Sequence, residues 1–228
     1  MTDEHEREHE HEHDHGHGDE GHEHEAHEHE HHHEHGEHDH GEHEHEFDYV
    51  GAVEDERARK DDWFRSSSDS PLSHEARHDF DGLPYFAVDP ALRFEDLMLE
   101  PYAGDEPTTF QIPTSDAQLR PAHRAGTFTF DLDGAPRKLT AYVLDGAESE
   151  SLFVPFLDAT SGRETYGAGR HLELEPELDG TYALDFNLAY HPYCVYNDDY
   201  SCPLTPAENR LPIRIEAGER LAEVAGAA

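Results

Sequence analysis

Residues 1–46 contain almost no apolar side chains, and this one feature confines any packed structure to the rest of the chain. From His5 to His45 the sequence is His, Glu, Asp and Gly, interrupted only by Arg7 and Ala26, in runs such as EHEHEHDHGHG and EHEHHHEHGEHDHGEHEHE. Ordering each residue costs about 1–2 kcal/mol of backbone entropy, and without buried apolar surface nothing offsets it. The sequence therefore predicts a disordered tail over 1–46. It predicts one domain over 47–228, a length of about 180 residues that can bury its own core.

The chain carries 16 Lys+Arg against 54 Asp+Glu, a formal charge of −38 that divides into −18 for the tail and −20 for the body. Such a surface repels phosphate backbones and anionic lipid, which argues against nucleic-acid or membrane partners. The longest apolar run, Leu152 to Leu157, falls well short of the roughly 20 residues of a membrane span. The start MTDEHEREHE has neither a basic n-region nor an apolar h-region, so a soluble cytoplasmic protein is expected. In the body the carboxylates are dispersed, and the only lysines are Lys60 and Lys138. That distribution resembles the surfaces of halophilic archaeal proteins, whose self-repulsion is screened when molar salt shortens the Debye length to ~3 Å.

Within FDYVGAVEDERARKDDWFR, Val50, Val53, Arg57, Lys60 and Phe64 recur at three-to-four spacing, which predicts a helix over about 48–65 that ends at Ser66-Ser67-Ser68. A short second helical turn is expected after Ser70-Pro71, ending near Asp81-Gly82. The period then becomes two. TFTFDLD from Thr127 and LTAYVLD from Leu139 flank Asp133-Gly134 as a hairpin, with Phe128, Phe130 and Leu132 on one face, and Leu139, Ala141 and Val143 on one face of the returning strand. Further strands are expected at Tyr85–Asp89, Phe94–Glu100, Thr109–Ile112, Leu152–Asp158, His171–Glu175, Thr181–Tyr190 and Leu211–Glu216. The sum is a mainly β fold, an antiparallel sandwich or partly closed barrel with an N-terminal helical arm.

Three stretches are dense in polar, Gly and aromatic residues: KDDWFRSSSDSPLSHEARHDFDGLPYFAVDP from Lys60, DATSGRETYGAGRHLELE from Asp158, and LDFNLAYHPYCVYNDDYSCPLTPAENRLPIRIEAGER from Leu184. They resemble the DUF1684 family of uncharacterised bacterial and archaeal proteins in four ordered motifs. These are a KD..FR..SPL opening, a GL.YF.VDP step, a DATSG.ETYG.GR block and a final PYC.Y...YSCP..P.EN.L block, together spanning about residues 55 to 220. His191 stands where that pattern often carries Asn, which speaks against a family-wide catalytic role for it. The resemblance implies kinship and brings no activity or cofactor with it.

Chemistry is therefore read from residue types. A hydrolase would use Ser161 or Thr160 as nucleophile with a carboxylate or His191 as base, and Glu164, Arg170 and Asn209 complete that candidate set. The loop has neither a G-x-S-x-G elbow nor a phosphate-binding P-loop. The plainer reading is a tight turn in which Asp158 and Thr160 bond backbone amides, glycines supply positive φ and Arg170 pairs with Glu164. His191, Cys194 and Cys202 form H-x2-C-x7-C, a conceivable zinc set with His171 as fourth ligand, although the x7 spacing is wide for a structural site. The other readings are two thiols, a disulfide or a redox pair. Tyr190, Tyr193, Tyr196 and Tyr200 read as architectural, and Asn209 as a cap in the turn before the last strand.

In the tail, imidazole and carboxylate alternate as the ligands that zinc, nickel, cobalt and copper(II) prefer. His9, His11, His13, His15, His17, His22, His24, His27, His29, His31, His32, His33 and His35 are the candidate ligands, and divalent metal ions the candidate partners. The tail's composition resembles histidine-rich metal-buffering segments of transporters and metallochaperones; a solubilising extension and a pH-responsive one are the competing roles. Protonating its 18 histidines would carry it from −18 to zero. The function expected is a noncatalytic β domain whose tail binds or buffers divalent transition metals. The alternative is a hydrolase-like enzyme or small-ligand-binding barrel using the Asp158–Arg170 loop with His191 and Asn209.

Overall fold

A computed structural model describes residues 47–146 and 151–222, and the histidine-rich segment lies outside them. The chain enters through helix α1, Tyr49–Ser66, whose first turn is capped by the Asp48 carboxylate accepting from the Gly51 N–H at 3.0 Å. Val53 and Phe64 of its inward face are buried, as the spacing predicts. Helix α2 is shorter and later than expected, His74–His78. Ser73 is its cap, because the Ser70 hydroxyl is already engaged with the Phe64 carbonyl at 2.6 Å.

Seven strands follow: β1 Arg93–Leu97, β2 Thr109–Pro113, β3 Leu119–Leu132, β4 Ala135–Leu144, β5 Leu152–Phe156, β6 Arg170–Leu174 and β7 Tyr182–Asp185. They form an antiparallel β1–β7 ribbon and an antiparallel meander ordered β2-β3-β4-β5-β6. The fold is mainly β with two antiparallel sheets. The meander's end strands β2 and β6 do not pair with each other, so it does not close into a barrel.

The β3–β4 hairpin turns at Asp133-Gly134, where both residues have positive φ, 55° and 68°, the geometry a two-residue primed turn requires. β3 extends eight residues further back than the TFTF alternation suggests, carried past a register irregularity between Arg124 and Gly126. The expected inward face of β4 holds at Leu139 and Ala141 but not at Val143, which is 41% exposed. Thr140 and Tyr142 are buried as well, because the sheet's other face is covered by the turn bearing Glu208 and Asn209. Two-sided burial removes the alternation.

Two expected strands are absent and three are cut short, Phe94–Glu100 ending at Leu97 and Leu152–Asp158 at Phe156. Tyr85–Asp89 contributes only a bridge from Tyr85 to Glu219. Thr181–Tyr190 stops at Asp185, whose side chain accepts from the Asn187 N–H at 2.9 Å and starts a 3-10 turn over Phe186–Leu188. Leu211–Glu216 forms no ladder; it runs against the loop after β5 through two backbone bonds, Leu211 N–H to the Leu157 carbonyl at 2.7 Å and Ala159 N–H to the Ile213 carbonyl at 2.8 Å, and is held at Ile215 by side chains. The core lies between the meander and these pieces, with Phe128, Leu139, Val154, Leu172, Leu184, Phe186 and Ile215 all nearly inaccessible.

Candidate functional site

The loop between β5 and β6 is a clamp on the C-terminal run. The Asp158 carboxylate accepts from the Ile215 N–H at 2.7 Å and from the Thr160 N–H and hydroxyl, while the Ser161 hydroxyl both donates to Asp158 and accepts from its N–H. Arg170 has no exposed surface. Its guanidinium donates to the carbonyls of Ile215 at 2.8 Å, Ala217 and Glu219, and lies 3.6 Å from Asp158. Burial lowers its pKa to about 10, still a cation at neutral pH. One arginine and one aspartate thus hold the run from Ile215 to Glu219, beyond the backbone bonds that tie Leu211 and Ile213 to Leu157 and Ala159.

This corrects the expected pairing. Glu164 is engaged with Arg214 at 2.6 Å at the surface, and Arg170 faces Asp158. The Thr160 carbonyl, with the N–H groups of Arg163, Glu164 and Thr165 pointing to it, closes the turn, and Gly162 and Gly169 supply positive φ whereas Gly167 does not. Asn209 lies elsewhere, fully buried under β4, its amide accepting from the Thr140 N–H at 2.8 Å and donating to the Thr140 and Pro155 carbonyls at 2.7 Å each. Ser161, Glu164, Arg170, His191 and Asn209 therefore do not converge on one solvent-open concavity.

His191 is buried beside this clamp. Its Nε2 accepts from the Tyr166 backbone N–H at 3.2 Å, and the His191 backbone N–H donates to the Glu219 carboxylate at 2.7 Å. Burial lowers its pKa to about 4, so the ring is neutral. Glu219 is almost inaccessible and also takes a bond from Tyr196 Oη at 2.9 Å and an ion pair with Lys60 Nζ at 2.6 Å. Cys194 and Cys202 are free thiols in contact, the Cys194 N–H donating to Cys202 Sγ at 3.4 Å, and burial pushes the Cys202 thiol up to about 11. Among the described residues no group of three or more His, Cys, Asp or Glu side chains could hold a metal ion. The H-x2-C-x7-C spacing does not assemble a zinc site.

A different site does assemble, on the outer face of the meander at β5 and β6. Leu152, Val154, Leu172 and Leu174 point to the core, so the alternate residues Phe153, His171 and Glu173 point outward. The register sets Phe153 opposite Glu173. Over them passes the 190–203 segment, tied down by a two-way backbone bridge between His171 and Tyr190 at 2.9 and 3.0 Å. With Lys60 from α1 and Arg120 from β3, these elements enclose a cleft of about 460 Å3. Tyr190, Tyr193 and Tyr200 form its aromatic wall with Phe153. Tyr193 is stacked on Trp63 with ring centres 6.0 Å apart and meets Tyr200 edge-on at 5.3 Å.

The cleft's polar groups are few and placed. Tyr190 Oη donates to Glu173 at 2.7 Å, and Lys60 Nζ lies 4.7 Å above the Tyr190 ring. His171 is wedged edge-on between Phe153 and Tyr190, at 4.7 and 5.7 Å, and burial lowers its pKa to about 3. Sequence reasoning missed this site because its lining comes from six separated segments. One signal was present: Lys60, one of two lysines in the chain, falls on the apolar spacing of α1, which points it inward.

The thirteen tail histidines proposed as ligands, from His9 to His35, lie outside the described residues. No helix among the described residues is long and apolar enough to cross a membrane. The sequence matches none of the curated proteins. It does match the family described as "Protein of unknown function (DUF1684)" over residues 78–220. A solved solution structure of an uncharacterised protein from Haloarcula marismortui is 40% identical, with a TM-score of 0.58, over 78% of this chain and 97% of that one. With the four ordered motifs, the match across most of the body and this relative of known structure, the chain belongs to the DUF1684 family.

Proposed function

We propose that the body is a noncatalytic small-ligand-binding domain whose site is the cleft between α1, the outer face of β5–β6 and the 190–203 segment. The observation that carries this is a preformed concavity of about 460 Å3 walled by Phe153, Tyr190, Tyr193 and Tyr200. Volumes of about 300–1,000 Å3 lined by rings with a few polar groups are typical of small-molecule sites. Support for a noncatalytic role comes from the side chains that carry nucleophile or base chemistry. Ser161 and Asp158 bond each other, the His191 Nε2 is taken by the Tyr166 N–H and the Cys202 thiol is held protonated. An NMR titration of the full chain with a mixture of small aromatic compounds tests the reading. Shifts at Phe153, His171, Tyr190 and Tyr193 are expected; shifts confined to other surfaces, or turnover of any compound, would falsify it.

A second reading concerns the tail and is favoured by its 18 histidines interleaved with 19 carboxylates. In this reading the tail binds divalent transition metals such as zinc, nickel, cobalt or copper(II) as a buffer independent of the cleft. Titration of zinc into the full chain and into a chain starting at Phe47 separates the two parts. Loss of most binding on truncation is expected, and equal binding by both would transfer the metal site to the body. The paired free thiols and dispersed carboxylates fit a reducing, salt-rich cytoplasm.

A further inference from the structure

We propose that the cleft takes a small planar monocarboxylate, with Arg120 gripping the carboxylate and the ring system lying among Phe153, Tyr190 and Tyr193. This inference rests on the ligand-binding reading and names its ligand class. In a body of formal charge −20, the cleft lining holds two cations, Lys60 and Arg120, against one carboxylate, Glu173. Their commitments differ. Lys60 is already paired with Glu219 at 2.6 Å, and Glu173 accepts from Tyr190. Arg93, Arg124, Arg170 and Arg214 each face a carboxylate within 4 Å. Arg120 donates to the Asp145 carbonyl at 3.2 Å, and among the described residues no carboxylate pairs with it. Its guanidinium keeps further N–H donors in a planar fork, the geometry that a carboxylate accepts through two parallel bonds.

One lining cation with no carboxylate partner among the described residues matches a single negative charge, which favours a monocarboxylate over a phosphate monoester. The remaining lining favours a flat body. Tyrosine and phenylalanine rings present faces and edges that stack on aromatic surface. The second polar anchor is His171. It lies in the lining edge-on to Phe153 and Tyr190 and, held neutral by burial, adds an imidazole without adding charge.

The test is an NMR titration of the full chain in molar KCl with 2-naphthoate, 2-naphthamide and 2-naphthyl phosphate. Molar salt screens distant charge, so only direct contacts discriminate among the three. Naphthoate is expected to bind about tenfold more tightly than the amide, the equivalent of one good charge-assisted contact. Arg120→Gln should bring naphthoate down to about the amide's affinity, and unchanged chemical shifts at Tyr193 and Trp63 in the free protein show that the cleft is intact. Arg120→Lys, which keeps the charge without the fork, should fall between and serves as the readout if Arg120→Gln loses its dispersed spectrum. Equal affinity for amide and naphthoate, or preference for the phosphate, overturns the monocarboxylate inference while the ligand-binding reading stands. If none of the three perturbs the cleft, both fall.

Discussion

Asn209 shows how a residue that reads as chemistry can be architecture. Its three hydrogen bonds join the backbone of β4 at Thr140 to that of β5 at Pro155, in a place with no exposed surface. Asn209→Ala would leave three buried backbone groups without partners, an expected loss of about 2–4 kcal/mol readable as a lower denaturant midpoint. Asn209→Asp should be no better, because a carboxylate cannot donate to the two carbonyls. The buried histidines make a pH prediction at the same scale. His171 and His191 have folded pKa values near 3 and 4 against an ordinary 6.5, through burial. Below pH 6.5 the unfolded chain therefore binds protons that the folded chain refuses, so stability falls as pH is lowered through that window. The slope is about 1.4 kcal/mol per pH unit per histidine. Thermal midpoints between pH 6.5 and 5 should show it, and His171→Phe should flatten it; an unchanged slope in that variant would mean that His171 is not buried neutral. Asn209 reads as a backbone cap from sequence, but neither the β4 and β5 groups it bonds nor the burial of the two histidines was legible, because residue types report capacity for bonds and not which backbone lies beside them.

Among the elements, those set by local chemistry were legible. The Asp133-Gly134 hairpin and the inward face of α1 follow from turn propensity and periodicity alone. The elements misread were those whose state depends on a distant partner. β4 lost its alternation because a turn some 70 residues later covers its second face, and the backbone groups of Leu211–Glu216 are shared between the Leu157–Ala159 backbone and the Asp158 and Arg170 side chains. Gly169 belongs to this class. It has φ of +103°, and a Cβ there would collide with the Phe156 carbonyl and the Thr205 hydroxyl. Gly169→Ala combines that clash with a left-handed backbone that alanine adopts poorly, an expected cost of about 1–3 kcal/mol or more. Chemical denaturation measures it, and a variant as stable as the parent would show that the loop can reopen without releasing the C-terminal run.

For the whole molecule, the formal charge of −38 separates into two parts with different consequences. The body's share is spread over its surface, and its self-repulsion should make stability rise steeply from dilute buffer into molar KCl. A thermal midpoint flat across that range would rule out salt adaptation as the reason for the dispersed acid. By itself, the sequence determined where a core could form, the mainly β class, the hairpin, the first helix and kinship with DUF1684. Each of these depends on composition, on neighbours a few residues apart or on motifs in order. Tertiary structure alone decided that the conspicuous Asp158–Arg170 loop is a clamp and that the open concavity lies on the other face of β5–β6. Its lining comes from α1, β3 to β6 and the 190–203 segment, and a convergence of residues up to about 140 positions apart leaves no periodicity or spacing in a one-dimensional string.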